Sequence, residues 1–346
     1  MRAVMIDVVG SPPEVREVPA PTAPPAGVVV EVRATGVCRS DWHAWAGHDD
    51  DVTFPHVPGH ELAGVVVEVG PEVRRWQVGD RVTVPFVCGC GTCEWCLAGD
   101  AQVCPRQQQP GFTHCGSFAE RVALHAADTN LVALPDGVDF VTAASLGCRF
   151  ATAYRALVAR ARVAEGEWVT VYGAGGVGLS TVMIARALGA RVVAVDRNPE
   201  ALAAASRLGA DHVIQAGSAD VPAAVVEITG GGSHVTVDAV GSEQTCADAI
   251  LSLRRRGRHV QVGLLPPVDG HPRVPMSRVI GWELDLLGSH GMAAVDYPGM
   301  MDLVERDVLR PGLLVERTVG LAEAATLLPR FDSAVVAGVT VVDPTR

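Results

Sequence analysis

Lysine is absent from this chain: all 28 basic residues among its 346 are arginines. That excludes Schiff-base catalysis, pyridoxal-phosphate attachment, a phosphate-loop lysine of the Walker type and a Tyr-x-x-x-Lys proton shuttle. Positive charge is also in deficit. Against 28 arginines stand 39 acidic residues, a formal net charge of −11, which disfavours nucleic acid or an anionic membrane as partner. Long apolar runs are scarce. Trp168 to Ala185 is uncharged over a near-membrane length, but Gly173, Gly175, Gly176 and Gly178 interrupt it, so it reads as a strand, a turn and a helix. Met1 to Gly10 holds Asp7 and no apolar run of signal-peptide length, which predicts a soluble, cytoplasmic chain. Aromatic residues are few at 5%, yet 48% hydrophobic against 19% charged residues excludes a disordered chain. The length suits roughly two domains.

Nine cysteines are present, and in a reducing compartment clustered cysteines point to metal rather than disulfides. Cys90, Cys93, Cys96 and Cys104 follow a C-x-x-C-x-x-C-x7-C spacing with glycines between them. Four thiolates fill a tetrahedral zinc shell and leave no open position, so this site is predicted to be structural. An iron–sulfur cluster is the competing reading. The gap before Cys104-Pro105 fits ferredoxin spacing poorly. Cys88, left over, is expected to be a loop thiol.

Residues 1 to about 150 are predicted to be β-rich, with Val-dense runs at Val28–Val32, Ala63–Val69 and Arg81–Val84. The rhythm then changes. Strands at Trp168–Tyr172, Arg191–Asp196, His234–Val240, His259–Val262 and Leu284–Leu287 alternate with helical patterns such as Val177–Leu188 and Pro199–Leu208, as in a doubly wound parallel sheet. The chain is mixed again after about Gly288 and closes on the β-like Val335–Val342.

The strand ending at Tyr172 runs into Gly173-Ala174-Gly175-Gly176-Val177-Gly178, a G-x-G-x-x-G turn. Gly173 suits a tight turn, Gly175 lets backbone approach a pyrophosphate, and Gly178 lets helix and strand pack closely. Eighteen residues later Asp196 ends the next strand. A carboxylate there can accept hydrogen bonds from the adenosine ribose and repel a 2′-phosphate, which favours NAD over NADP. Arg197 beside it leaves NADP open.

A second group of soft ligands lies in the β-rich part. Cys38-Arg39-Ser40-Asp41-Trp42-His43 and Gly59-His60-Glu61 are close in sequence, and Cys148 falls at the predicted domain border, where clefts form. Taken singly, a cysteine is more often a small buried hydrophobe, and spacing alone does not join Cys148 to the other two.

These segments, with Val78-Gly79-Asp80-Arg81-Val82 and Gly147-Cys148 in the same order, resemble the zinc-dependent medium-chain alcohol dehydrogenases over essentially the whole chain. The resemblance implies an α/β fold in which a Rossmann domain, residues 150–288, is inserted in a β-rich, GroES-like catalytic domain of residues 1–149 and 289–346. It implies two zinc ions per subunit, NAD, and a small alcohol, aldehyde or ketone as substrate. By position, it implies Cys38, His60 and Cys148 as catalytic zinc ligands and Glu61 as a carboxylate able to approach the metal. Asp41 would orient His60, Ser40 would bond the substrate oxygen, and His43 would end a proton relay through the nicotinamide ribose. Arg39 would meet the pyrophosphate. Trp45 and Phe86 occupy positions like those lining the substrate pocket, or are simple core aromatics. A homo-oligomer is implied, a tetramer before a dimer.

Two positions depart from the pattern. Ala201 stands where a basic residue is common five places after the ribose-binding acid, and the tail reads Ala337-Gly338-Val339 where many members carry Gly-Arg. Both changes remove positive charge near the cofactor, which predicts weaker NAD binding or compensation by another arginine. Other readings keep the machinery but take a polyol, amino alcohol or glutathione adduct, or make the chain a zinc-stabilised NAD sensor without turnover. A zinc-free quinone reductase has no use for the four-cysteine lobe.

Overall fold

The computed structural model describes every residue except 218–219, 266–270 and 332–337. The chain divides into two compact units, Met1–Ala151 with Gly291–Arg346, and Thr152–His290.

In the first unit the Val-dense runs become the spine of a seven-stranded sheet. Val28–Val37 and Glu61–Val69 pair antiparallel at its centre, and Arg81–Thr83 and Val132–Ala133 extend one side. Val339–Val342 adds to the other side of Val28–Val37, with Val315–Val319 beyond it. Arg121–Leu124 also pairs with Val28–Val37. Val28, Val30, Val32, Leu62, Val66, Val82, Val84, Val122 and Leu124 form one core. A second core joins Val4, Val37 and Phe118 to Val319, Leu321 and Val342, so the chain's two ends share one interior.

The second unit holds a six-stranded sheet, parallel throughout. Its strands, in chain order, are Trp168–Tyr172, Arg191–Asp196, His212–Gln215, Ser233–Asp238, Leu253–Gln261 and Asp285–Gly288. Across the sheet they run third, second, first, fourth, fifth, sixth. That is the doubly wound dinucleotide-binding order, whose switch point lies between the first and fourth strands. Trp168–Tyr172 is buried along its whole length, as expected of a strand covered on both faces.

Several boundaries move from their sequence expectation. Val28–Val32 continues to Val37, because Thr35 and Gly36 pair with Leu62 and Glu61. His259–Val262 begins earlier, at Leu253. The polar run Arg254-Arg255-Arg256 hides it, and Arg256 sits at φ +62° where the ladder is irregular. Of the closing run Val335–Val342, residues 335–337 lie outside the described residues and the strand is Val339–Val342. Cys88 lies in the connection after Arg81–Thr83, as expected of a loop thiol, but it is buried in the first core, and burial pushes its thiol up to about 12. No helix among the described residues is long and apolar enough to cross a membrane.

Candidate metal centres and nucleotide turn

Cys38 caps the helix Arg39–Trp45, and Asp41 stands at the third position of that helix. From there the Asp41 carboxylate reaches back to accept the Cys38 N–H at 2.8 Å, the reciprocal half of a capping box. Its other oxygen accepts from Gly59 N–H at 3.1 Å and from His60 Nδ1 at 2.9 Å. One buried carboxylate thus ties the start of the helix to the entry of the strand Glu61–Val69.

His60 is fully buried, and with Nδ1 committed to Asp41 its Nε2 has no hydrogen-bond partner. A buried imidazole nitrogen rarely stays orphaned. Around it lie the sulfurs of Cys38 and Cys148 and a Glu61 oxygen, all four donor atoms within 4.8 Å of one another. Cys148 is carried in by a π-helical turn, Leu146–Phe150, a local widening common at functional sites. The Cys148 thiol holds the Cys38 sulfur well below the ordinary thiol range, against burial; the same pairing, with burial, drives Cys148 up. Burial works against charge on His60, but the Asp41 carboxylate outweighs it and holds the imidazole well above its usual value. The donor chemistry, two sulfurs and an imidazole with one lone pair unclaimed, fits a zinc ion with an open position.

The other predicted residues are placed as follows. Ser40 Oγ is 3.9 Å from Cys38 Sγ. His43 Nδ1 lies 3.0 Å from Nδ1 of His48, a neighbour that spacing did not suggest. Arg39 is exposed on the first turn of the helix. The Phe86 ring lies 6.1 Å from the His60 ring, and Phe112, unforeseen from sequence, lies nearer at 5.1 Å. The Trp45 indole N–H donates to the Ser11 carbonyl at 2.7 Å, which fixes its ring. Glu61 is fully buried against Arg149, whose Nε donates to Oε1 at 2.9 Å while Nη2 donates to Oε2. Nothing in the sequence joined these two, which are 88 positions apart.

The four cysteines of the lobe also converge, their sulfurs within 4.8 Å of one another. Cys93 caps the short helix Glu94–Leu97 and accepts the Cys96 N–H. Its sulfur is 3.5 Å from that of Cys96 and 3.6 Å from that of Cys104. Arg106 donates to Cys90 Sγ at 3.2 Å, and its backbone N–H to Cys104 Sγ at 3.3 Å. Hydrogen bonding with Thr92, then Arg106, brings the Cys90 thiol down to about 5. Four sulfurs and their N–H donors match a closed, structural zinc shell.

In the second unit Gly173 turns at φ +90°, and Gly175 caps the helix Gly176–Ala187, whose first turn contains Val177 and Gly178. A Cβ on Gly178 would lie 1.7 Å from the Gly173 carbonyl oxygen, so only glycine lets the helix pack here. A Cβ on Gly175 would meet nothing, and its backbone is open to a ligand. Asp196 accepts from Ala174 N–H at 2.7 Å and Asn198 N–H at 2.8 Å, which anchors its carboxylate beside the turn; Arg197 is exposed. Ala201 and Val339 are buried, so neither departure offers a charge.

A parallel sheet with this turn in one unit and two sulfur-rich donor sets in the other are the parts of a metal-dependent dinucleotide enzyme. Residues 24–136 match the alcohol dehydrogenase GroES-like domain and residues 176–306 the zinc-binding dehydrogenase family. An alcohol dehydrogenase of Geobacillus stearothermophilus is 34% identical over 344 residues, covering 98% of this chain and 97% of that one. Another from the same organism is 40% identical over 271 residues, 77% of this chain and 78% of its own. The crystal structure of an NAD-dependent alcohol dehydrogenase superposes with a TM-score of 0.89 at 31% identity, covering 99% of both chains. The chain belongs to the zinc-dependent medium-chain alcohol dehydrogenase family and is an oxidoreductase acting on alcohols.

Proposed function

We propose that this chain reversibly oxidises a primary or secondary alcohol to an aldehyde or ketone, with NAD as hydride acceptor and zinc held by Cys38, His60 and Cys148. The observation that carries the reading is the buried, unpartnered His60 Nε2 among two cysteine sulfurs. When bound, zinc would supply Lewis acidity to the alcohol oxygen and the nicotinamide would supply a hydride acceptor. Asp41 fixes the His60 tautomer and leaves Nε2 facing the ligand position. Ser40 Oγ hydrogen-bonds the alcohol oxygen, accepting its proton as it hands its own onward, and His43 takes up a proton at the outer end of the relay. Phe86 and Trp45 shape the apolar side of the pocket. Gly173, Gly175, Gly176, Val177 and Gly178 cradle the pyrophosphate at a helix N-terminus, with Arg39 as its cationic partner, and Asp196 bonds the ribose. Cys90, Cys93, Cys96 and Cys104 hold a second, structural zinc. Residues 1–149 and 289–346 would form the catalytic domain and 150–288 the cofactor domain, in a homotetramer.

Initial rates over simple alcohols, polyols and threonine, each with NAD and NADP, test the reading. Turnover of simple alcohols with NAD preferred is expected. Turnover confined to polyols or amino alcohols moves the substrate, and activity undiminished in metal-stripped enzyme overturns the mechanism.

A further inference from the structure

We infer that Arg149 sets the coordination number of the catalytic metal by holding Glu61 out of its shell. This rests on Cys38, His60 and Cys148 being the metal's ligands. A Glu61 oxygen already lies within 4.8 Å of their donor atoms, close enough to become a further ligand. It is held instead by a buried two-point fork, Nε to Oε1 at 2.9 Å and Nη2 to Oε2, with the Arg149 backbone N–H 3.4 Å from Oε1. Both side chains are buried, so water cannot take over either role. The backbone makes room for the pair: a Cβ on Gly36 would fall 2.2 Å from Glu61 Oε2 and 3.0 Å from Arg149 Nη2.

Charge gives the fork its consequence. Two thiolates, Asp41 and Glu61 would together outweigh one divalent ion, and the guanidinium offsets one of those charges where it stands. Bidentate guanidinium–carboxylate pairing also directs the carboxylate geometrically, which a point charge does not. Because Arg149 follows Cys148 in the chain, the residue that positions Glu61 moves with one of the ligands. Arg149 is therefore a positioning residue: it preserves the open position that an alcohol oxygen needs.

Cobalt(II) put in place of zinc reads this directly, because its d–d absorption is strong in four-coordinate sites and weakens when a fifth ligand joins. The four-cysteine site contributes a constant background. Arg149→Met is expected to lose d–d intensity relative to wild type, and Arg149→Met with Glu61→Gln is expected to regain it. A folded Arg149→Met chain with the wild-type spectrum would overturn the inference, as would a loss that persists with Glu61→Gln. If Arg149→Met does not fold, Arg149→Lys takes its place with the same two outcomes, since an ammonium cannot reproduce the fork. The underlying site reading fails separately: Cys38→Ser would then leave the bound cobalt per subunit unchanged.

Discussion

Asp41 shows how much a single side chain can organise. Its carboxylate accepts from Cys38 N–H, Gly59 N–H and His60 Nδ1, so one substitution loosens two proposed ligands at once. Asp41→Asn is expected to weaken metal binding at the catalytic site by about 10–100-fold, the usual effect of losing such a support. Chelator competition would measure it, with the four-cysteine site unaffected; unchanged affinity would remove Asp41 from the account. A second residue-scale effect concerns histidines kept neutral. His114 is brought down to about 4 by burial and then by His125, whose ring is 5.2 Å away; burial also lowers His56, His125 and His259. An unfolded chain binds these protons near pH 6.5, the folded chain only lower. The associated stability is therefore present above about pH 6.5 and lost as pH falls toward 4. Denaturant midpoints at pH 7 and pH 5 should differ less for His114→Gln than for wild type; an equal difference would contradict this.

At the scale of elements, the glycine turn separates packing from binding. Gly178→Ala places a methyl on the Gly173 carbonyl, so it should lower the melting temperature and abolish NAD binding together. Gly175→Ala meets no neighbour and should leave melting unchanged while weakening NAD binding. Thermal shifts with and without NAD separate the two, and equal melting losses would show that Gly175 also packs. In the lobe, Cys93 both caps a helix and contacts two other sulfurs, so Cys93→Ala should act mainly on stability, read as a lower melting temperature. The sequence made these elements legible where hydrophobic runs were continuous: Trp168–Tyr172 and Arg191–Asp196 form at their expected bounds, and the helix Val177–Leu188 shifts by one residue. It concealed Arg2–Met5 and Glu14–Glu17, an antiparallel pair of four-residue strands too short to carry a pattern. It also concealed the arginine-rich start of Leu253–Gln261, since pairing with a neighbouring strand, not local composition, makes that segment β.

Across the whole molecule, chemistry-bearing residues were more legible than the contacts that tune them. Cysteine spacing named the lobe, and motif order joined Cys148 to Cys38 and His60 across roughly a hundred positions. Arg149 stood beside Cys148 in plain view, yet its partner Glu61 is reached only when the π-helical turn meets the strand Glu61–Val69. Phe112 and His48 escaped for the same reason: each is defined by a ring it faces, not by its neighbours in the chain. On the proposed reading the two donor sets would have different duties, one closed by four sulfurs and one with a corner left for an alcohol. Counting zinc per subunit in wild type and in Cys148→Ser, alongside alcohol oxidation by each, tests that division. The account expects two ions falling to one, with oxidation lost and the fold retained. A Cys148→Ser enzyme that keeps both ions and still oxidises alcohol would contradict it.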